Sequence, residues 1–154
     1  MELLCFADAN ETALIVIDQT VVLGMSLDES QATVQLDLKE IYNASNVVAV
    51  TYDYLRRNFY WHDAGYNIIF TTSLTNDQLS VFSRGINNVR SMALDWVAGN
   101  IYWVDATFGQ IEVANVTTGH RAILLHENIT SPNQIVVDPR RKYASHVFLL
   151  LFLF

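Results

Sequence analysis

The sequence predicts an all-β protein assembled from repeated four-stranded antiparallel sheets, and three observations carry that prediction. Short runs rich in Val, Ile, Thr, Tyr and Phe follow one another along the whole chain. Turn-forming groups separate them, such as Asn76-Asp77, Gly99-Asn100 and Thr118-Gly119. NFYWHD at residues 58–63 returns as NIYWVD at residues 100–105, 42 positions later.

The runs, in order, are LLCFAD, ALIVID, VVLGM, TVQLDL, NVVAVTYD, NFYWHDA, NIIFTTSL, QLSVFS, RSMALDW, NIYWVDA, QIEVANV, RAILLH and QIVVDP. Each has strand length, and no stretch keeps an i, i+3, i+4, i+7 apolar pattern for long. LDLKEIYN, residues 36–43, is the single weak helical possibility. Laying residues 46–82 on 88–124 without gaps pairs Asn46 with Asn88, Val47 with Val89, Asp53 with Asp95, Asn58 with Asn100 and Tyr60 with Tyr102. The same overlay pairs Trp61 with Trp103, Asp63 with Asp105, Ala64 with Ala106, Ile69 with Ile111 and Thr75 with Thr117. A third copy opens at NQIVVDP, where Asp138 stands 43 residues after Asp95. Four strands in about 42 residues is the period of a propeller blade. One blade cannot bury both of its faces, so neighbours must stack on it. Tyr and Trp at fixed strand positions suit that need, each offering a large apolar face and a polar tip.

Composition narrows the function. With 154 residues and 51% apolar content the chain can form one modest globular unit. A net charge of −7 argues against binding a nucleic-acid backbone. The lone Cys5 excludes an intrachain disulfide and reads as a buried thiol in an apolar strand. The N-terminal run is broken by Asp8, Asn10 and Glu11 and is a poor secretory signal. Four N-x-[ST] acceptors nevertheless occur, at Asn10, Asn43, Asn115 and Asn128, and point to an exported domain.

No catalytic or metal-binding pattern stands out. His62, His120, His126 and His146 occupy no H-E-x-x-H or cysteine-linked spacing, and neither a nucleophile elbow nor a phosphate loop is present. No cofactor, metal ion or catalytic residue is expected. Asp63 and Asp105 recur at equivalent positions, which favours a repeated structural hydrogen bond over an acid pair. Asp53, Asp95 and Asp138 stand where strands meet turns and are read as turn caps. Arg56-Arg57 and Arg140-Arg141-Lys142 read as solvated turns.

The pattern D-x-x-x-x-N-[FI]-Y-W-x-D, followed by an I-x-V or I-x-F strand and later by V-x-D-P, resembles the YWTD repeat, the low-density-lipoprotein-receptor class B repeat. The resemblance rests on Asp53, Asn58, Tyr60, Trp61 and Asp63, on Asp95, Asn100, Tyr102, Trp103 and Asp105, and on Asp138. It covers residues 46–143 well, and LLCFADANETALIVID is similar to the first-blade strands of such domains. His62 and Val104 replace the family's threonine. The resemblance implies an incomplete six-bladed β-propeller of about three blades. Residues 1–143 hold them: blade one over about 1–50 with an insertion at 19–42, then class B repeats over about 58–100 and 101–143.

It further implies a non-enzymatic extracellular interaction module from the ectodomain of a membrane receptor of the lipoprotein-receptor-related type. Such a module would bind protein ligands beside EGF-like neighbours, in endocytic ligand release or Wnt co-reception. A nidogen-like matrix protein is the alternative, and a six-bladed propeller hydrolase a more distant one. In the third repeat the register would put Ser145 and His146 at the Tyr-Trp positions and Phe148 at the aspartate position. The tail 144–154 is therefore off-pattern, and a repeat cut short is the expectation. A terminal strand standing in for the missing blade and an interfacial, aggregation-prone tail are the alternatives. The apolar run Val147–Phe154 is far short of the roughly 20 residues needed to span a bilayer.

Overall fold

The computed structural model describes residues 2–7, 12–18, 21–26, 34–37, 40, 42–53, 55–73, 78–127, 129, 131–138 and 146–150. The chain divides into two compact units, residues 1–47 and 48–154. In the first, β1 (Glu2–Ala7), β2 (Thr12–Asp18), β3 (Val21–Ser26) and β4 (Val34–Asp37) form an antiparallel sheet in chain order. The pairings run Leu4 to Ile15, Val16 to Leu23 and Val22 to Leu36. The segment 19–42, expected to be an insertion, holds β3 and β4, the third and fourth strands of this sheet. Glu40 and Tyr42 have helical geometry at the end of that segment.

The second unit contains two more four-stranded sheets. One is β5 (Val47–Asp53), β6 (Asn58–Asp63), β7 (Ile68–Ser73) and β8 (Leu79–Arg84). The other is β9 (Val89–Asp95), β10 (Asn100–Asp105), β11 (Gln110–Asn115) and β12 (Arg121–Leu125). Both are antiparallel meanders in chain order, as four runs joined by short turns require. These successive four-stranded antiparallel meanders are the all-β arrangement expected of propeller blades.

Stacking explains why the second strands β6 and β10 are buried beyond their first residue. A strand presents alternate residues to opposite faces. In β10, Ile101 and Trp103 enter a core with Ala49, Tyr60, Ile69, Ile86, Val89, Met92 and Leu94, between the second and third blades. Their neighbours Tyr102 and Val104 enter a different core with Ile111 and Ile135. Every residue of β10 after Asn100 is thus buried, and β6 has the same pattern. Burying one such side chain contributes about 1.5–3 kcal/mol, and a strand between two neighbours gains it on both faces. The outermost strand β12 is exposed along its length.

A fourth sheet begins with β13 (Gln134–Asp138), paired antiparallel with β14 (His146–Leu150). Its ladder corrects the reading of the tail. Asp138 lies opposite His146, Val136 opposite Phe148 and Ile135 opposite Leu149. In the preceding blade Asp95 lies opposite Asn100, Ala93 opposite Tyr102 and Met92 opposite Trp103. Phe148 and Leu149, rather than Ser145 and His146, therefore occupy the register positions of Tyr and Trp. The connection spans 139–145, seven residues, where the earlier blades use four, 54–57 and 96–99.

Candidate functional site: the blade stamp and the exposed turn tips

Asp53, Asp63, Asp95 and Asp105 are all committed to turns. Asp53 Oδ1 accepts the amide of Arg56 at 3.1 Å, and its Oδ2 pairs with the Arg56 guanidinium at 2.8 Å. Asp95 Oδ1 accepts the amides of Val97 and Ala98 at 3.0 and 2.9 Å. On the opposite end of the strands, Asp63 accepts the amide of Gly65 at 2.8 Å, and Asp105 those of Thr107 and Phe108 at 2.8 and 3.2 Å. All four carboxylates are buried. A buried carboxylate is tolerable where backbone N–H groups converge on it, and each here fixes the turn that follows its strand. Asp138 ends β13 at the corresponding place and is partly buried.

Asn58 and Asn100 open their strands two residues before Tyr60 and Tyr102, on the same face. Burial pushes both phenols above the ordinary tyrosine pKa. Trp61 and Trp103 are fully buried but differently served. Trp61 stacks on Phe70, centroids 4.6 Å apart, and donates its indole N–H to Thr72 Oγ1 at 3.3 Å. Trp103 lies under the Arg121 guanidinium, 5.4 Å from the ring centre, and its indole N–H has no partner. Arg121 also holds buried Glu112 through two nitrogens and reaches back to the carbonyl of Arg84 at 3.2 Å.

Between these two blades the linker after β8 acts as a strap. The amide of Ile86 donates to Asn67 O in the β6–β7 turn, and Asn88 O accepts the amide of Ala106 in the β10–β11 turn, both at 3.1 Å. Buried His62 donates from Nε2 to Ile86 O at 2.9 Å, while its Nδ1 has no partner. Desolvation holds the imidazole pKa below 6.5, against the opposing pull of the Ile86 bond and of Asp63 and Asp105.

The strap brings two turns to one end of the blades, and each carries an exposed aromatic: Tyr66, 47% exposed, and Phe108, 67% exposed. They are 42 residues apart, as are the exposed apolar tips Leu55 and Val97 at the other end. Sequence reading missed both pairs, although the overlay aligns them; the signal was an apolar side chain repeated within a turn. Among the described residues no group of three or more His, Cys, Asp or Glu is placed to hold a metal ion. Also among the described residues, no helix is long and apolar enough to cross a membrane. Asn10 and Asn128 lie outside the described residues, Asn43 is exposed, and Asn115 is half-buried.

Residues 99–139 match the family model described as low-density lipoprotein receptor repeat class B. Among solved structures the chain is similar to one from a nidogen/laminin complex, with a TM-score of 0.69 and 22% identity over 82% of this chain and 49% of that one. It is also similar to a structural-genomics protein of unknown function from Bacteroides thetaiotaomicron VPI-5482, with a TM-score of 0.61, 14% identity, and 83% and 37% of the two chains covered. Apo AztD from Citrobacter koseri follows, with a TM-score of 0.59, 14% identity, and 82% and 35% covered. The chain thus spans half or less of the length of the structures it resembles. Trp103, Asp105 and the strands β10 to β13 thus lie within the stretch that matches a low-density-lipoprotein-receptor class B (YWTD) repeat, in a fold shared with part of a chain from the nidogen/laminin complex.

Proposed function

We propose that this chain is an extracellular protein-interaction module, a piece of the ectodomain of a lipoprotein-receptor-related membrane receptor flanked in its parent by EGF-like modules. The exposed aromatic rim carries the reading. Tyr66 and Phe108 sit at one end of adjacent blades on turns fixed by buried aspartates, while the repeated polar residues are spent on the scaffold. Rigidly held, exposed aromatics are the side chains that anchor protein interfaces at low entropic cost. The buried carboxylates offer no free acid or base, so the reading is non-enzymatic binding.

Similarity to a chain from a nidogen/laminin complex favours a second reading, a nidogen-like matrix protein that binds laminin-like partners. Surface plasmon resonance of the full chain over immobilised laminin separates the two. The matrix reading expects saturable binding lost in a Tyr66→Ser/Phe108→Ser variant. The receptor reading expects no laminin binding, but surface crosslinking of the full chain to extracellular proteins that the same variant abolishes. Crosslinking that is indifferent to both substitutions overturns the rim.

A further inference from the structure

Of the two sequons whose asparagines the structure describes, one faces outward and one is part of the frame. Asn43 is exposed with φ of 55°, at the corner before the second blade. Its 42-residue counterpart is Gly85, with φ of 66°, where an added Cβ would meet no atom within 4 Å. Asn115 is the reverse case. Its Nδ2 donates to Gly99 O and to Asn100 Oδ1, both at 3.1 Å, so both amide hydrogens are used. Its Oδ1 accepts the amides of Thr117 and Thr118 at 3.0 Å and the Thr118 hydroxyl at 3.3 Å. The side chain ties the β11–β12 turn to the β9–β10 turn, where Gly99 has φ of 68° and a Cβ would meet Val116 Cγ2 at 3.4 Å.

We infer that Asn43 is an N-glycosylation site of this protein and that Asn115 is a scaffold residue that carries no glycan. The inference rests on the extracellular reading above, which supplies the compartment. In the transfer, Asn43 Nδ2 forms a bond to the anomeric carbon of a lipid-pyrophosphate-linked oligosaccharide. The anomeric carbon–oxygen bond to pyrophosphate breaks, Nδ2 gives up one proton, and the lipid pyrophosphate leaves. At Asn115 the same bond would remove a donor hydrogen and place a sugar against the β9–β10 turn.

The test is site-by-site glycopeptide mapping of the full chain, secreted from animal cells behind an added leader and deglycosylated enzymatically in heavy-oxygen water. Asn43 is expected to appear as labelled Asp and Asn115 as unlabelled Asn. Asn43→Gln should remove the mass of one glycan. Asn115→Asp, which keeps the acceptor and loses both donors, should leave the glycan count unchanged and lower the thermal midpoint. An unlabelled Asn43, or a labelled Asn115 in the folded secreted chain, overturns the inference. Because the leader imposes the compartment, either result leaves the extracellular reading to its own test, the fractionation of cells that express the full-length parent protein with its own N-terminus and no added leader: recovery in the cytosol would defeat that reading alone.

Discussion

The blades β5–β8 and β9–β12 share one backbone and solve the same packing problem with different chemistry. At offsets of 42 residues Phe70 becomes Glu112, Thr72 becomes Ala114 and Leu79 becomes Arg121. The first set covers a tryptophan with a stacked ring and satisfies its indole N–H. The second covers it with a cation held by a buried carboxylate and leaves the N–H without an acceptor. Even the left-handed positions repeat. Asn43, Arg57 and Asn67 have positive φ in step with Gly85, Gly99 and Gly109. The lesson is that the repeat conserves a frame of turns and core positions, and that side chains are chosen locally to complete it.

Breaking the charged solution should produce the largest effect. Arg121→Ala leaves Glu112 buried without its cation, and a loss of about 3 kcal/mol is expected from urea unfolding. Thr72→Val removes the acceptor while keeping the shape, so Trp61 acquires the defect of Trp103. A loss of about 1–2 kcal/mol should follow in the same assay.

His62 sharpens the comparison through pH, because Val104 is its counterpart. Its folded pKa lies below the unfolded 6.5, so its contribution is complete above pH 6.5 and is lost as pH falls through 6.5 towards the folded value. Protonation would create an Nδ1–H donor with no buried acceptor. His62→Val should therefore lower stability by about 1 kcal/mol at neutral pH, where the Ile86 bond is lost. It should also flatten the decline between pH 6.5 and 5, measured as unfolding midpoints; an unchanged slope would remove His62 from the account.

The smallest effect is a gain. Arg57 has φ of 53° where the next blade has Gly99, so Arg57→Gly should stabilise by about 0.5–1 kcal/mol. A loss would show that the exposed Arg57 side chain matters more than its backbone.

Much of this frame was legible before any coordinates. The strands and their 42-residue period follow from pattern, because each blade must hide both faces of its second strand. VVLGM and TVQLDL, readable as strands, hold the third and fourth strands of the first sheet. The tail was misjudged because register was carried rigidly from Asp95 to Asp138 and onward. A connection three residues longer moves Phe148 to the tyrosine position, and loop length is the least constrained quantity in a meander. The aromatic tips were overlooked because turn residues were read for backbone chemistry alone. The Glu112–Arg121 pair was hidden because its partners are nine residues apart on neighbouring strands with no pattern to join them.

The most direct test of an interchangeable frame is to transplant one solution onto the other. Urea unfolding of a Glu112→Phe/Ala114→Thr/Arg121→Leu chain would install the Trp61 environment around Trp103. The frame predicts one cooperative transition at a midpoint equal to or above the parent's. A midpoint lowered as far as by Arg121→Ala alone would contradict it, and would mean that each blade's side chains, not a shared backbone, define its core.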